Sequence, residues 1–110
     1  MIDYFILTGE NTTISLSGRL LSDSDLQAVS AEVEKFNNWN IILNLEDLTY
    51  LNSSGIAFLV RILTRSRVNG GDAVICRLNP QLVKLFEITK MHDVFKIYDS
   101  PESANTHFQA

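Results

Sequence analysis

The sequence predicts an α/β domain with a mixed, mainly parallel sheet, and three observations point to it. Short apolar runs of strand length alternate with longer segments whose apolar residues recur at helical spacing, the order produced by crossover connections between parallel strands. The interior runs at residues 41–45 and 73–78 are almost continuously apolar, as befits strands covered on both faces. The first two strand runs have only the turn-forming Gly9, Glu10 and Asn11 between them, so one antiparallel hairpin joins the sheet. The expected order is β-β-α-β-α-β-α-β-α. Residues 1–110 are taken as one domain, because 110 residues support one hydrophobic core and contain no internal repeat or linker.

The hairpin strands are residues 4–8 and 12–16, the second placing Ile14 and Leu16 on one face. Ser22 then stands where a helix N-cap is expected, and Asp23 and Asp25 complement the helix dipole in the first turn. Leu26, Val29, Val33 and Phe36 follow at helical spacing, and Asn37 and Asn38 end the segment. The buried run at 41–45 leads through a turn-like stretch to Ser53, Ser54 and Gly55, which open a second helix closed by Gly70 and Gly71. In the strand run 73–78 the apolar neighbours of Cys76 predict a buried structural thiol. Asn79 and Pro80 start a third helix with Leu82, Val83, Leu85, Phe86 and Ile88 as its apolar residues. A strand at 95–98 and a helix start at Ser100, Pro101 and Glu102 complete the chain.

Composition narrows the function. With 45% hydrophobic and 20% charged residues the chain should fold alone rather than remain disordered. A net charge of −4, with nine Lys and Arg residues that never form a run, offers no footprint for a nucleic-acid backbone. The apolar runs are too short to span a bilayer and Met1, Ile2, Asp3 and Tyr4 lack a basic leader region, so a cytosolic protein without membrane insertion is expected. No Gly-x-Ser-x-Gly elbow occurs, and His92 and His107 have no triad-like or metal-ligand spacing, which makes them solvent-facing loop or terminal residues. Gly70 and Gly71 follow a helix, whereas a phosphate loop precedes one. No catalytic residue, cofactor or metal is expected.

The informative stretch is Leu43, Asn44, Leu45, Glu46, Asp47, Leu48, Thr49, Tyr50, Leu51, Asn52, Ser53, Ser54, Gly55, Ile56. It resembles the STAS family, and within it the bacterial anti-sigma factor antagonists, in which a buried strand and a short loop lead to Asp-Ser-Ser/Thr-Gly-Leu at a helix start. Leu7-Thr8-Gly9, Ser17-Gly18-Arg19-Leu20, Gly70-Gly71-Asp72 and Phe86-Glu87-Ile88 extend the similarity, in order, over nearly the whole chain. The resemblance implies a non-enzymatic cytosolic switch that binds a serine-kinase anti-sigma factor and so frees a sigma factor for transcription. It further implies that phosphorylation of the first motif serine, here Ser53, abolishes binding, and that a serine phosphatase restores it. Ser54 is the alternative phosphoacceptor and otherwise the better candidate for a plain helix cap. Two positions depart from the family pattern, Asn52 for its usual Asp and Leu21 for a usual Asp or small polar residue. Both favour the alternative function, a STAS scaffold or interaction subunit of a transporter or signalling complex without a phosphorylation cycle.

The second helix should carry the partner surface. Taking Ile56, Leu59, Val60 and Leu63 as its core face leaves Phe58 and Ile62 outward, between Arg61 and Arg65. An apolar pair rimmed by arginines suits a docking patch, unless the third helix covers it. The expected partner-binding set is Asn52, Ser53, Ser54, Gly55, Phe58, Arg61, Ile62 and Arg65.

Overall fold

The computed structural model describes residues 2–20 and 23–109. The expected cap Ser22, the departure at Leu21 and the side chain of Leu26 lie outside the described residues. The elements are β1 (Ile2–Thr8), β2 (Thr12–Leu20), α1 (Asp23–Val33), β3 (Asn40–Asn44), β4 (Leu48–Leu51), α2 (Ser53–Val68), β5 (Asp72–Cys76), α3 (Pro80–Thr89), β6 (Ile97–Tyr98) and α4 (Pro101–Thr106), with a 3-10 turn at Met91–Asp93. The α/β class holds, and the expected elements occur in the expected order with one strand added between β3 and α2. β1 and β2 pair antiparallel, and β2, β3, β5 and β6 continue the sheet in that order through parallel pairs.

One strand was not expected. β4 occupies the stretch read as a turn and pairs in parallel with the far end of β2. Only Leu48 and Leu51 of its four residues are buried, so it shows neither alternation nor a continuous apolar run. β2 therefore serves two parallel partners in succession, β3 along residues 12–15 and β4 along 18–20. The register shifts between Gly18 and Arg19, where Gly18 has φ of 93°, a left-handed conformation that glycine adopts without Cβ strain.

The two sheet faces are covered unequally. Ile14, Leu16, Ile41, Leu43, Ala73 and Ile75 face α1, α2 and α3 and form the main core with Phe58, Leu59, Leu82 and Phe86. Ile42, Val74 and Cys76 point the other way and meet Ala104 of α4, with Tyr98 and Phe108 beside them. Cys76 is fully buried there, as its apolar run predicted, and burial pushes its thiol up to about 11.

α2 ends in the glycine pair. Gly70 has φ of 84°, and the N–H of Gly71 donates to the carbonyl of Ser66 at 2.8 Å, satisfying a last-turn carbonyl. Gly71 itself lies against the backbone of the neighbouring strand entry: an added Cβ would fall 2.1 Å from the carbonyl oxygen of Trp39.

One sequence expectation fails near the C-terminus. His107 is not a plain solvent-facing residue, because its Nε2 lies 2.8 Å from Oδ2 of Asp72 and its Nδ1 3.0 Å from the Tyr98 hydroxyl. Burial works to raise the Asp72 carboxyl, but hydrogen bonds from His107, the Ala73 N–H and Arg67 outweigh it and hold that carboxyl below its ordinary value. What Asp72 adds to stability is thus present at neutral pH and is lost only in acid below the usual carboxylate range. His92 is exposed, as expected, with Nδ1 3.1 Å from the Phe86 carbonyl oxygen.

Candidate functional site

The motif loop is assembled by four side chains, Asn44, Asn79, Thr49 and Arg77, and one glycine. Asn44, the last residue of β3, accepts the N–H of Glu46 at 3.1 Å and turns the chain out of the sheet. Asn79 does two tasks at once: its Oδ1 accepts the N–H of Leu82 at 3.0 Å to cap α3, while its Nδ2 lies 2.7 Å from the Leu48 carbonyl and 3.2 Å from those of Leu45 and Glu46. On the opposite side Gly18 donates to the Asp47 carbonyl at 3.1 Å and accepts the Thr49 hydroxyl at 2.9 Å. Arg77 adds an ion pair to Glu46 at 3.2 Å. The chain between β3 and α2 is thereby held to β2 and to the start of α3.

At the end of this loop Asn52, not a serine, caps α2. Its extended backbone (φ −103°, ψ −173°) and its side-chain oxygen, which accepts the N–H of Gly55 at 3.0 Å, satisfy the N-cap requirement. This corrects the assignment of Ser54 as the cap. The physical reason is that Asn, Ser and Asp cap almost equally well, so the first of a run of capping residues can take the role and leave the later ones inside the helix. Such a cap is worth about 1 kcal/mol. Ser53 is consequently the first helical residue and is exposed, Ser54 is half-buried and Gly55 is buried.

The expected faces of α2 are rotated. Phe58 and Ile62 are each only 2% exposed, so they are not an outward docking pair. The buried stripe is Gly55, Phe58, Leu59, Ile62, Leu63 and Ser66, while Ile56 and Val60 are only partly buried at its margin. Large apolar residues set the phase in the sequence, but two small residues, Gly55 and Ser66, occupy the buried face; the fully buried Ser66 hydroxyl is satisfied by the Ile62 carbonyl at 2.8 Å. The helix beside Phe58 and Ile62 is α1 rather than α3, and Val33, Ser30 and Glu34 share with them a shallow cavity of about 110 Å³.

What α2 presents outward is Ser53, Ala57, Arg61, Thr64, Arg65, Arg67 and Val68. Arg65 is engaged, its guanidinium 2.8 Å from Glu34 and 5.6 Å from the ring centroid of Trp39. Arg61 stands on the cavity rim. Of the eight expected partner-binding residues, Asn52, Ser53, Ser54 and Gly55 form one helix start, Arg61 and Arg65 lie exposed along the same helix, and Phe58 and Ile62 lie beneath it. Asn79 and Gly18 were missed as loop-holding residues. Asn79 was visible only as a cap, and a side chain that also holds a loop more than 30 positions away leaves no local sequence signal.

Among the described residues no group of three or more His, Cys, Asp or Glu side chains is placed to hold a metal ion. Among them, too, no helix is long and apolar enough to cross a membrane.

Comparison with known proteins places this architecture. The anti-sigma F factor antagonist of Paenibacillus polymyxa is 24% identical over 99 residues, covering 87% of this chain and 85% of that one. An anti-sigma-factor antagonist (STAS) domain protein from Planctomyces limnophilus superposes with a TM-score of 0.80 at 18% identity, over 97% of this chain and 98% of its own. The Bacillus cell fate determinant SpoIIAA, in its phosphorylated form, gives a TM-score of 0.67 at 20% identity over 98% and 99% of the two chains. These structural likenesses establish the fold. The STAS domain profile matches residues 8–104, through both glycine turns, the motif loop and all but the last helical turn, and the chain therefore belongs to the STAS domain family.

Proposed function

We propose that this protein is an anti-sigma factor antagonist of the cytosol, which binds a serine-kinase anti-sigma factor through the start and outer face of α2 and is released when that kinase phosphorylates Ser53. A serine phosphatase resets it, and the protein itself performs no catalysis. The observation that carries this reading is the position of Ser53: exposed, first in the helix, and relieved of capping by Asn52. A phosphate there adds roughly −1.5 to −2 charge without removing any bond the helix start depends on. The helix N-terminus tolerates that charge, so its effect falls on the docked partner and not on the fold. Arg61 lies eight residues along the same helix, about 12 Å away at the helical rise. A phosphate at Ser53 therefore adds negative charge to one end of a helix that otherwise presents cations outward. The name of the Paenibacillus relative and the solved phosphorylated form of SpoIIAA point the same way.

The test uses a candidate anti-sigma kinase, ATP and intact-mass measurement. Wild type should gain one phosphoryl group and lose kinase binding. Ser53→Ala should gain none, keep binding, and stay within about 0.5 kcal/mol of wild-type stability, because the cap is untouched. Incorporation that persists in Ser53→Ala, or that maps to Ser54, removes Ser53 from the role. Binding without any incorporation in the wild type is the result the scaffold function requires; Asn52 in place of the family's Asp is the feature that favours it.

A further inference from the structure

The second face of the sheet carries its own small apolar cluster, and one short element covers it. α4 has six residues, far fewer than a helix needs to persist alone in water, so its position depends on tertiary ties. Those ties are few. Ala104 seats on Ile42, Val74 and Cys76, and Asn105 accepts a hydrogen bond from Asn11 at 2.8 Å. His107, just beyond the helix, joins β5 to β6 through Asp72 and Tyr98. An ionised carboxylate only accepts, so Nε2 carries the proton it donates to Asp72, and Nδ1 faces the Tyr98 hydroxyl across the ring. Edge contacts of the imidazole with Tyr98 (5.9 Å) and Phe108 (5.0 Å) complete the arrangement. Arg67 approaches Asp72 from α2 at 3.2 Å, so the carboxylate is anchored to the main body before His107 reaches it.

We propose that residues 100–109 form a hinged strap, closed by the Asp72–His107–Tyr98 clasp, which opens as a unit while the main core stays folded and uncovers Ile42, Val74 and Cys76. Opening breaks the clasp, the Asn11–Asn105 bond and the small cluster of Ala104 and Phe108 on Ile42, Val74 and Cys76, and it leaves intact the larger core between the sheet and α1 to α3. Segments joined by so few buried contacts open with free energies well below the global value. The strap is independent of the phosphorylation site, which lies on the helices of the other face.

Cys76 is the chain's single cysteine and lies under the strap, so its modification by a small aromatic disulfide reagent reads the opening directly. In the full-length wild type the labelling rate should rise only weakly with urea, far less steeply than the global unfolding equilibrium measured on the same protein. His107→Ala should speed labelling by roughly 10-fold or more, as loss of a charge-assisted hydrogen bond implies. His107→Gln, which can still donate to Asp72, should fall between the two. A wild-type rate with the full urea dependence of global unfolding overturns the proposal, and that measurement stands even if a variant fails to fold. A weak urea dependence with unchanged labelling in His107→Ala overturns the clasp.

Discussion

Phe58→Ala should lower the unfolding free energy of the isolated protein by about 3–5 kcal/mol, the range for removing a buried aromatic side chain from a core. The side chain is 2% exposed and joins the main cluster beneath α2. The adjoining cavity of about 110 Å³ would merge with the space left behind, so the vacated volume has little chance to collapse. Against a total stability of about 5–15 kcal/mol for a domain, such a loss is a large fraction. Arg61→Ala, on the rim of the same cavity, should change stability by no more than about 0.5 kcal/mol and weaken partner binding instead. Urea denaturation with a binding titration on both variants separates the roles. An unchanged midpoint in Phe58→Ala, with weakened binding, would return that side chain to the docking surface.

Gly71→Ala should cost about 3 kcal/mol or more, because overpacking against fixed backbone leaves nothing flexible to yield. The added methyl would lie 2.1 Å from the carbonyl oxygen of Trp39, 2.4 Å from its carbon and 3.0 Å from the nitrogen of Asn40. That carbonyl accepts the N–H of Asp72 at 3.1 Å, and Asn40 pairs with Asp72 in the β3–β5 register, so relief requires parting the two central strands where they begin. Gly70→Ala is the control. Its site is open, and the only penalty is the left-handed φ of 84°, about 1–2 kcal/mol for a residue with a Cβ. Denaturation midpoints should fall in the order wild type, Gly70→Ala, Gly71→Ala, and equal losses in the two variants would show that no steric contact operates at Gly71.

These two residues also show where the sequence was legible. The buried strands were readable because Ile41, Ile42 and Leu43, and likewise Ala73, Val74 and Ile75, are apolar on both faces, a pattern set by burial alone. The helix ends were readable because capping chemistry is local: Asn79 with Pro80, Ser100 with Pro101, and Gly70 act within three residues. The phase of α2 was not. A helical stripe is inferred from large apolar residues, and here the buried residues include Gly55 and Ser66, so the inferred face was turned by about one residue, or 100°. The same limit hid the Asp72–His107 contact, which joins positions 35 apart in sequence. The motif itself was found, but which of its polar residues caps the helix depends on which is the last to keep an extended backbone before the helix, and that residue is Asn52.

Trp39 makes the chain its own optical instrument. It is the sole tryptophan, 8% exposed, edge-on to Phe36 at 6.0 Å and under the guanidinium of Arg65 at 5.6 Å. Indole emission responds to solvent and to nearby charge, and this ring is touched by the helix that carries Ser53. Unfolding would shift its spectrum to the red as water reaches the ring, whereas a protein that pulls Arg65 away from Glu34 would alter intensity with the chain still folded. One unlabelled emission band thus distinguishes loss of the core from occupation of the outer face of α2, and it does so without touching the cysteine on the opposite side of the sheet.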